Sequence, residues 1–186
     1  ILKDRQLGYS WLAAAFAVWK ARNGAAVCLI SKGDREAKEL LSKCAYVESH
    51  LPEFMQLGVK PQTEVMKFPG EGVIMAFPST PDAGVSFTFQ VFIFDEAHFH
   101  AYAADNFAAL LPTISAGGQA IVLSTADPSL GPNGWFPSYY WASKNGTTGF
   151  ASRFVSWHAR PGRDKAWLEA ERAKFTELPE HFDAYY

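Results

Sequence analysis

Apolar and polar residues fall in blocks along the chain, and the periods of those blocks predict an alternating α/β order. Ser10 to Arg22 is rich in Ala, Leu, Phe and Trp and apolar nearly all round, which predicts a buried helix ended by Asn23-Gly24. Ala25 to Ser31 is a short bounded apolar run, the pattern of a strand buried on both faces. Asp34 to Glu48 has apolar residues at Ala37, Leu40, Leu41 and Cys44 and a charged opposite face, with Asp34 as the expected N-cap. Glu64 to Phe68 and Val73 to Phe77 flank a Pro-Gly turn and read as a hairpin or two short strands. Val91 to Phe94 is a buried strand running into Asp95. A helix over Tyr102 to Leu111 is expected to stop before Pro112. Ala120 to Ser124 is a further strand, Asp127 to Asn133 a Pro/Gly-rich loop, and Gly134 to Lys144 a helix. Arg153 to Trp157 reads as a strand and Asp164 to Phe175 as a charged amphipathic helix; the tail from Glu177 has no period. Uniformly apolar strands alternating with helices predict a mostly parallel sheet covered on both faces.

Composition narrows the class. The chain has 186 residues, 48% hydrophobic and 15% aromatic, which is enough apolar material for a packed core and excludes disorder. Lys and Arg number 17 against 19 Asp and Glu, a formal charge of -2. Nucleic acid would therefore be met by a local basic face and not by whole-molecule attraction. The two cysteines, Cys28 and Cys44, stand far apart and fit neither a disulfide scaffold nor a zinc ribbon, so a reducing compartment is expected. The longest apolar run, Trp11 to Trp19, is too short to cross a bilayer, and no membrane association is expected. The chain starts at Ile1 and its most informative motif begins at Lys3, so it reads as a piece of a longer protein.

Three constellations carry chemistry. Lys3-Asp4-Arg5-Gln6-Leu7-Gly8-Tyr9-Ser10 leads directly into a helix. A phosphate loop needs inward backbone N–H groups, a helix N-terminus, a cation and a hydroxyl for magnesium. Gly8 and Ser10 stand where the second glycine and the hydroxyl belong; Tyr9 stands in the usual lysine slot and Lys3 where the first glycine would be. The bland alternative is a charged turn before a helix. Second, the apolar strand Val91 to Phe94 ends in Asp95-Glu96. Two acids at the mouth of a buried strand call for a cation, and magnesium on the first with a polarised water on the second is the usual use in nucleoside triphosphatases. A solvated acidic pair is the alternative. Third, a strand ends in Ser124-Thr125-Ala126, whose hydroxyls can sense a γ-phosphate through water, although strands also end in Ser-Thr as they enter turns.

In this order the motifs resemble the ATPase domain of the large terminase subunit, the motor that packages DNA into tailed-phage and herpesvirus capsids. Lys3 to Ser10 resembles that family's deviant phosphate loop, VFIFDEAHFH its acid motif and LSTADP its coupling motif. PSTPDAGVSFT before the acid strand, and the stretch from Gly131 to Trp167, also resemble terminase, so the likeness spans nearly the whole chain. It implies a three-layer α/β P-loop NTPase fold of the RecA-like kind, with residues 1–176 as the ATPase domain and 177–186 as the start of a linker to a nuclease domain. It implies ATP and Mg2+ as cofactors. Lys3, Arg5, Gln6, Leu7, Gly8, Tyr9 and Ser10 would hold phosphates, and Ser10 and Asp95 magnesium. Glu96 would orient the attacking water, Arg5 would stabilise or sense the γ-phosphate, and Ser124, Thr125 and Ala126 would couple nucleotide state to movement. Implied partners are double-stranded DNA, the portal protein and the small terminase subunit, in a homo-oligomeric ring in the host cytoplasm at the procapsid portal. Pro78 to Gln90 contains no Lys or Arg, and Val85 stands near the place where relatives offer an arginine to a neighbouring subunit. Two other readings stay open: a helicase-type ATPase, from Asp-Glu-Ala-His, and an inactive phosphate-loop module of the packaging assembly, from Tyr9 in the lysine slot.

Three further features have bland alternatives. His98 and His100 beside Asp95 could share a metal. Trp135, Tyr139, Tyr140 and Trp141 could stack on bases, or simply pack. Arg153, Arg160, Arg163 and Lys165 could touch phosphate, or face solvent.

Overall fold

The computed structural model describes residues 1–186 other than 116, 128, 131, 178, 180, 181 and 183–186. Its chain forms two compact units, Gly8–Val122 and a second made of Ile1–Leu7 with Leu123–Tyr186. Most of the tail from Glu177, where a linker was expected, lies outside the described residues.

The larger unit is built on a five-stranded sheet. Its strands are β2 (Ala26–Ser31), β3 (Val65–Lys67), β4 (Val73–Pro78), β5 (Val91–Asp95) and β6 (Gln119–Leu123), in the order β3-β4-β2-β5-β6. β2 pairs in parallel with both β4 and β5, and β3 runs antiparallel to β4. Because β2 is central, both of its faces are covered, and Val27 to Ser31 are all buried. That is why its sequence reads as a continuous apolar run.

Helices α1 (Tyr9–Arg22) and α2 (Asp34–Ser49) pack on each other and on β2 and β4. The opposite face belongs to α3 (Ala103–Ser115). Alternation along β5 sorts the two layers. Phe92 and Phe94 point one way, and their rings meet Phe107 of α3 at centroid distances of 6.3 and 6.0 Å. Asp95, of the other set, meets Ser10 of α1.

Three expectations change. α1 is not buried all round: Trp11, Leu12 and Trp19 are exposed, and the small residues Ala13, Ala14, Ala17 and Ala21 make the buried face. An alanine face lets the helix approach the sheet closely, and the bulky residues are left outside. Pro112 lies inside α3, not after it. Its ring removes one N–H from the ladder, and the helix continues for another turn. Gly33, in extended conformation, is the N-cap of α2, and Asp34 sits in the first turn, where it pairs with Lys38 at 2.8 Å. The predicted hairpin, β3 and β4, forms as expected.

Two tertiary features tie this unit together. Glu48 is fully buried and receives Arg22 Nη1 on both oxygens, at 2.9 and 2.7 Å, and the Leu57 N–H at 2.7 Å. Arg22 also donates to the Met55 carbonyl, so one guanidinium joins α1, α2 and the following loop. A buried carboxylate met in this way is tolerated because its lone pairs are satisfied. Gly72 opens β4 against the end of α1: a Cβ there would lie 1.8 Å from the Ala21 carbonyl oxygen. Both free thiols, Cys28 and Cys44, are buried; desolvation pushes Cys28 far up and Cys44 up to about 12.

The smaller unit pairs β1 (Leu2–Lys3) in parallel with β7 (Phe154–Val155), so the strand expected over Arg153 to Trp157 is two residues long. A single-turn helix, Trp157–Ala159, follows it. Helix α4 (Trp135–Lys144) matches its predicted position, and α5 (Lys165–Arg172) starts as predicted and ends three residues early, where a single-turn helix, Ala173–Phe175, follows. Asp164 caps α5 by accepting from the Trp167 N–H at 2.8 Å. Among the described residues no helix is long and apolar enough to cross a membrane.

Gly72→Ala should destabilise the protein by about 3 kcal/mol or more, because the clash is with backbone and cannot be relieved by a rotamer. Gly33→Ala, whose new methyl would meet only the end of the Glu36 side chain, should cost far less. Thermal unfolding of the two variants checks this; equal losses would remove the close approach as the cause.

Candidate functional site

The loop after β1 starts from a strand with little freedom. Leu2 N donates to Arg153 O, Lys3 N to Ser124 O and Asp4 N to Val155 O, all at 2.9–3.0 Å. Ser124 N in turn donates to Ile1 O, so the segment expected to couple nucleotide state to movement is bonded to the strand that leads into the loop. Ser124 and Thr125 are buried and Ala126 half-buried. Lys3 and Asp4 are buried, at 5% and 4% exposure, and Arg5 and Gln6 are exposed. Burial raises the Asp4 carboxyl to about 6, against the opposing effects of the Trp157 N–H it accepts, the Ser156 hydroxyl, and Arg163 and His158 nearby.

Two arginines grip the loop itself. Arg160 Nη1 donates to Gln6 O at 2.7 Å, and Arg163 Nη1 to Arg5 O at 3.0 Å. Arg163 is buried and stacks on Trp167, 4.3 Å from the ring centre. A trans peptide is planar, with its N–H opposed to its C=O. Fixing the carbonyls of Arg5 and Gln6 on the guanidiniums therefore turns the N–H groups of Gln6 and Leu7 the other way. Gln6 has φ +59°, an uncommon value for a residue with a Cβ. Successive N–H groups aimed together beside such a residue form an anion-binding concavity. Arg160 and Arg163 were thus only half legible: the basic stretch was visible in the sequence, but its partners are carbonyls more than 150 positions away. Arg153 and Lys165, the other two basic residues there, are exposed.

The larger unit begins at Gly8, whose φ of +80° suits glycine, and Gly8 O accepts the N–H groups of Trp11 and Leu12 in α1. The first turn of α1 has no acidic residue of its own, so its positive end is left to groups from elsewhere in the chain. Tyr9 and Ser10 are half-buried in that turn. Ser10 Oγ donates to Asp95 Oδ1 at 3.0 Å. A hydroxyl and a carboxylate oxygen side by side are the hard oxygen donors that magnesium takes, with phosphate and water completing the shell. Among the described residues no group of three or more His, Cys, Asp or Glu is gathered for a metal.

Glu96 follows in the left-handed region, φ +58° and ψ +43°, a conformation that costs a non-glycine residue about 1–2 kcal/mol. It is half-buried. His98 and His100 do not share a strand face: the chain turns through a single-turn helix, Ala97–Phe99. His100 is buried, with Nε2 2.8 Å from the Asp95 carbonyl oxygen. Desolvation lowers its pKa to about 4, outweighing that bond and the charge of Glu96. In the aromatic group, Phe136 and Tyr140 are buried, Trp135 stacks on Tyr139 at 5.4 Å, and Trp141 is exposed with Lys144 over its ring.

Known structures share this fold. The ATPase domain of the large terminase of Thermus phage P74-26 matches with a TM-score of 0.69 at 20% identity, over 100% of this chain and 85% of that one. A large terminase from a thermophilic bacteriophage, solved in complex with ADP, matches with 0.69 at 12% identity, over 99% of this chain and 46% of its own. The large terminase of bacteriophage HK97 matches with 0.69 at 14% identity, over 93% and 38%. No family model matches the chain. The chain therefore has the α/β fold of these phage large-terminase structures, with the mostly parallel sheet that the sequence predicted.

Asp4 makes a pH test of the strand-to-loop junction. Its carboxyl lies near 6 in the fold and at 3.8 in the unfolded chain, so the native state binds the extra proton between those values. The stability this contributes is complete below pH 3.8 and is lost as pH rises through about 6. Asp4→Asn should therefore be more stable than the parent at pH 7.5 by about 2–3 kcal/mol and lose that advantage by pH 4. Denaturant unfolding at the two pH values measures it; a constant difference would mean that Asp4 is charged in the fold.

Proposed function

We propose that this chain is the ATPase motor of a viral DNA-packaging terminase, hydrolysing ATP to drive double-stranded DNA into a procapsid. The observation that carries the reading is the Ser10–Asp95 bond, which joins the first turn of the helix after the loop to the end of the buried acid strand. The likeness in fold to large-terminase ATPase domains, one of them solved with ADP, supports it.

In this reading Lys3, Arg5 and the backbone from Gln6 through Leu7, Gly8 and Tyr9 to Ser10 hold the phosphates. Ser10 and Asp95 hold magnesium, which when bound neutralises charge on the phosphates. Glu96 orients the attacking water, Arg5 stabilises the γ-phosphate, and Ser124, Thr125 and Ala126 relay the nucleotide state. Phosphoryl transfer asks little covalent chemistry of the protein, so these roles are positioning and charge stabilisation. Residues 1–176 make the ATPase domain, and 177–186 lead toward a nuclease domain. The partners are DNA, the portal protein and the small terminase subunit, in a ring at the procapsid portal in the host cytoplasm.

Glu96→Gln should lower ATP turnover by about a hundredfold or more while nucleotide affinity stays near that of the parent. Turnover at the parent rate would remove Glu96 from the chemistry. A parent that binds nucleotide without turnover would favour the inactive module, and strand separation on a DNA duplex would favour the helicase.

Lys3 is the proposed phosphate lysine, at the other end of the loop from the usual slot. A charge-assisted contact contributes roughly 1.5–3 kcal/mol, so Lys3→Ala should weaken ATP binding about 10- to 150-fold, and more than ADP binding. If Arg5→Ala loses affinity and Lys3→Ala does not, the loop's cation is Arg5.

A further inference from the structure

We propose that His100 is a positioning residue for the Glu96 carboxylate, acting through the main-chain carbonyl of Asp95. The inference rests on the reading of Glu96 as the group that orients water, and it adds what keeps Glu96 in place.

Glu96 occupies the left-handed region with φ +58° and ψ +43°, so the fold must over-determine it. The two peptide planes that flank it are both tied. On its far side, Glu96 O accepts the Phe99 N–H at 2.9 Å, which limits ψ. On its near side, the Asp95 carbonyl faces His100 Nε2 at 2.8 Å. A carbonyl only accepts, so Nε2 carries the hydrogen. That carbonyl shares a rigid plane with the Glu96 N–H, and fixing it limits φ. The two bonds together hold the turn in which the strand ends and the carboxylate leaves the alternation of β5.

Packing alone does not account for an imidazole at this place. The ring stacks on Phe94 at 5.8 Å and 28°, which a phenyl ring would do as well. Its Nδ1 is buried with no hydrogen-bond partner among the described residues, a penalty a phenyl ring would avoid. The polar contact that sets histidine apart here is the one to Asp95. Asp95 is then tied twice, its carboxylate to Ser10 and its carbonyl to His100, and the second tie passes to Glu96.

Three variants separate the donor from the ring. His100→Phe keeps the stack and loses the donor. His100→Asn has an amide at the level of Nδ1, too short to reach. His100→Gln places an N–H as many bonds from Cβ as Nε2. Two readouts are taken on each: kcat and affinity for ATP, and hydrogen exchange at the amides of residues 96–100. The Phe and Asn variants should lose about 10- to 100-fold in kcat with ATP affinity little changed, the scale expected of a misplaced group. Their turn amides should exchange about tenfold faster while those of β2 keep the parent rate. Gln should recover most of both. Parent-like exchange in the Phe variant, or a Gln variant as impaired as Phe, would overturn the proposal. If the parent turns over no ATP, or Glu96→Gln turns it over normally, the functional reading fails, and the exchange data still decide whether His100 holds the turn.

Discussion

The bond between Ser10 and Asp95 depends on nearly everything else in the larger unit. It joins residues 85 positions apart, one in the first turn of a helix and one at the end of a buried strand. For the two to meet, α1 must lie close on the sheet, and its buried face of alanines allows that approach. β5 must sit beside β2 in register, with Val27 opposite Val91 and Ile30 opposite Phe94. Parallel pairing sends all these strand ends to one edge, where the ends of α/β sheets present their sites. A charged residue at the end of an otherwise apolar strand is then where solvent, ligand and helix terminus converge.

A second theme is the control of backbone by side-chain donors. Gln6 and Glu96 are both non-glycine residues with positive φ. Each follows a residue whose carbonyl accepts from a buried side chain: Arg5 from Arg163, and Asp95 from His100. In both places a peptide plane is set by a donor distant in sequence or beyond a turn, and the neighbouring N–H is aimed as a consequence. Strained backbone persists only when its surroundings over-determine it.

Much of the fold was legible because parallel strands covered on both faces have no polar side to hide. β2, β5, α1, α2 and α4 stand within a residue or two of where the apolar blocks put them. Errors arose where a local rule met a tertiary one. Pro112 would end an isolated helix, yet α3 continues for another turn past it. The all-apolar α1 suggested complete burial, yet Trp11, Leu12 and Trp19 face out because its alanines are the side that fits the sheet. Of the candidate site, Ser10, Asp95, Glu96 and the loop were recognisable by residue type and order. Arg160, Arg163 and His100 were visible only as basic or aromatic neighbours, since a side chain that donates to a carbonyl leaves no pattern in the residue it serves.

Sequence by itself determined the order of strands and helices, the acids at the end of β5 and the loop that opens α1, because these follow from local periodicity and from residue chemistry. Tertiary structure decided the rest. It decided that Gly72 must lack a side chain, because the Ala21 carbonyl occupies that space. It decided that Glu48 is buried, because Arg22 and the Leu57 N–H satisfy it. It decided the conformations of Gln6 and Glu96, because the donors that fix their peptide planes arrive from elsewhere in the chain.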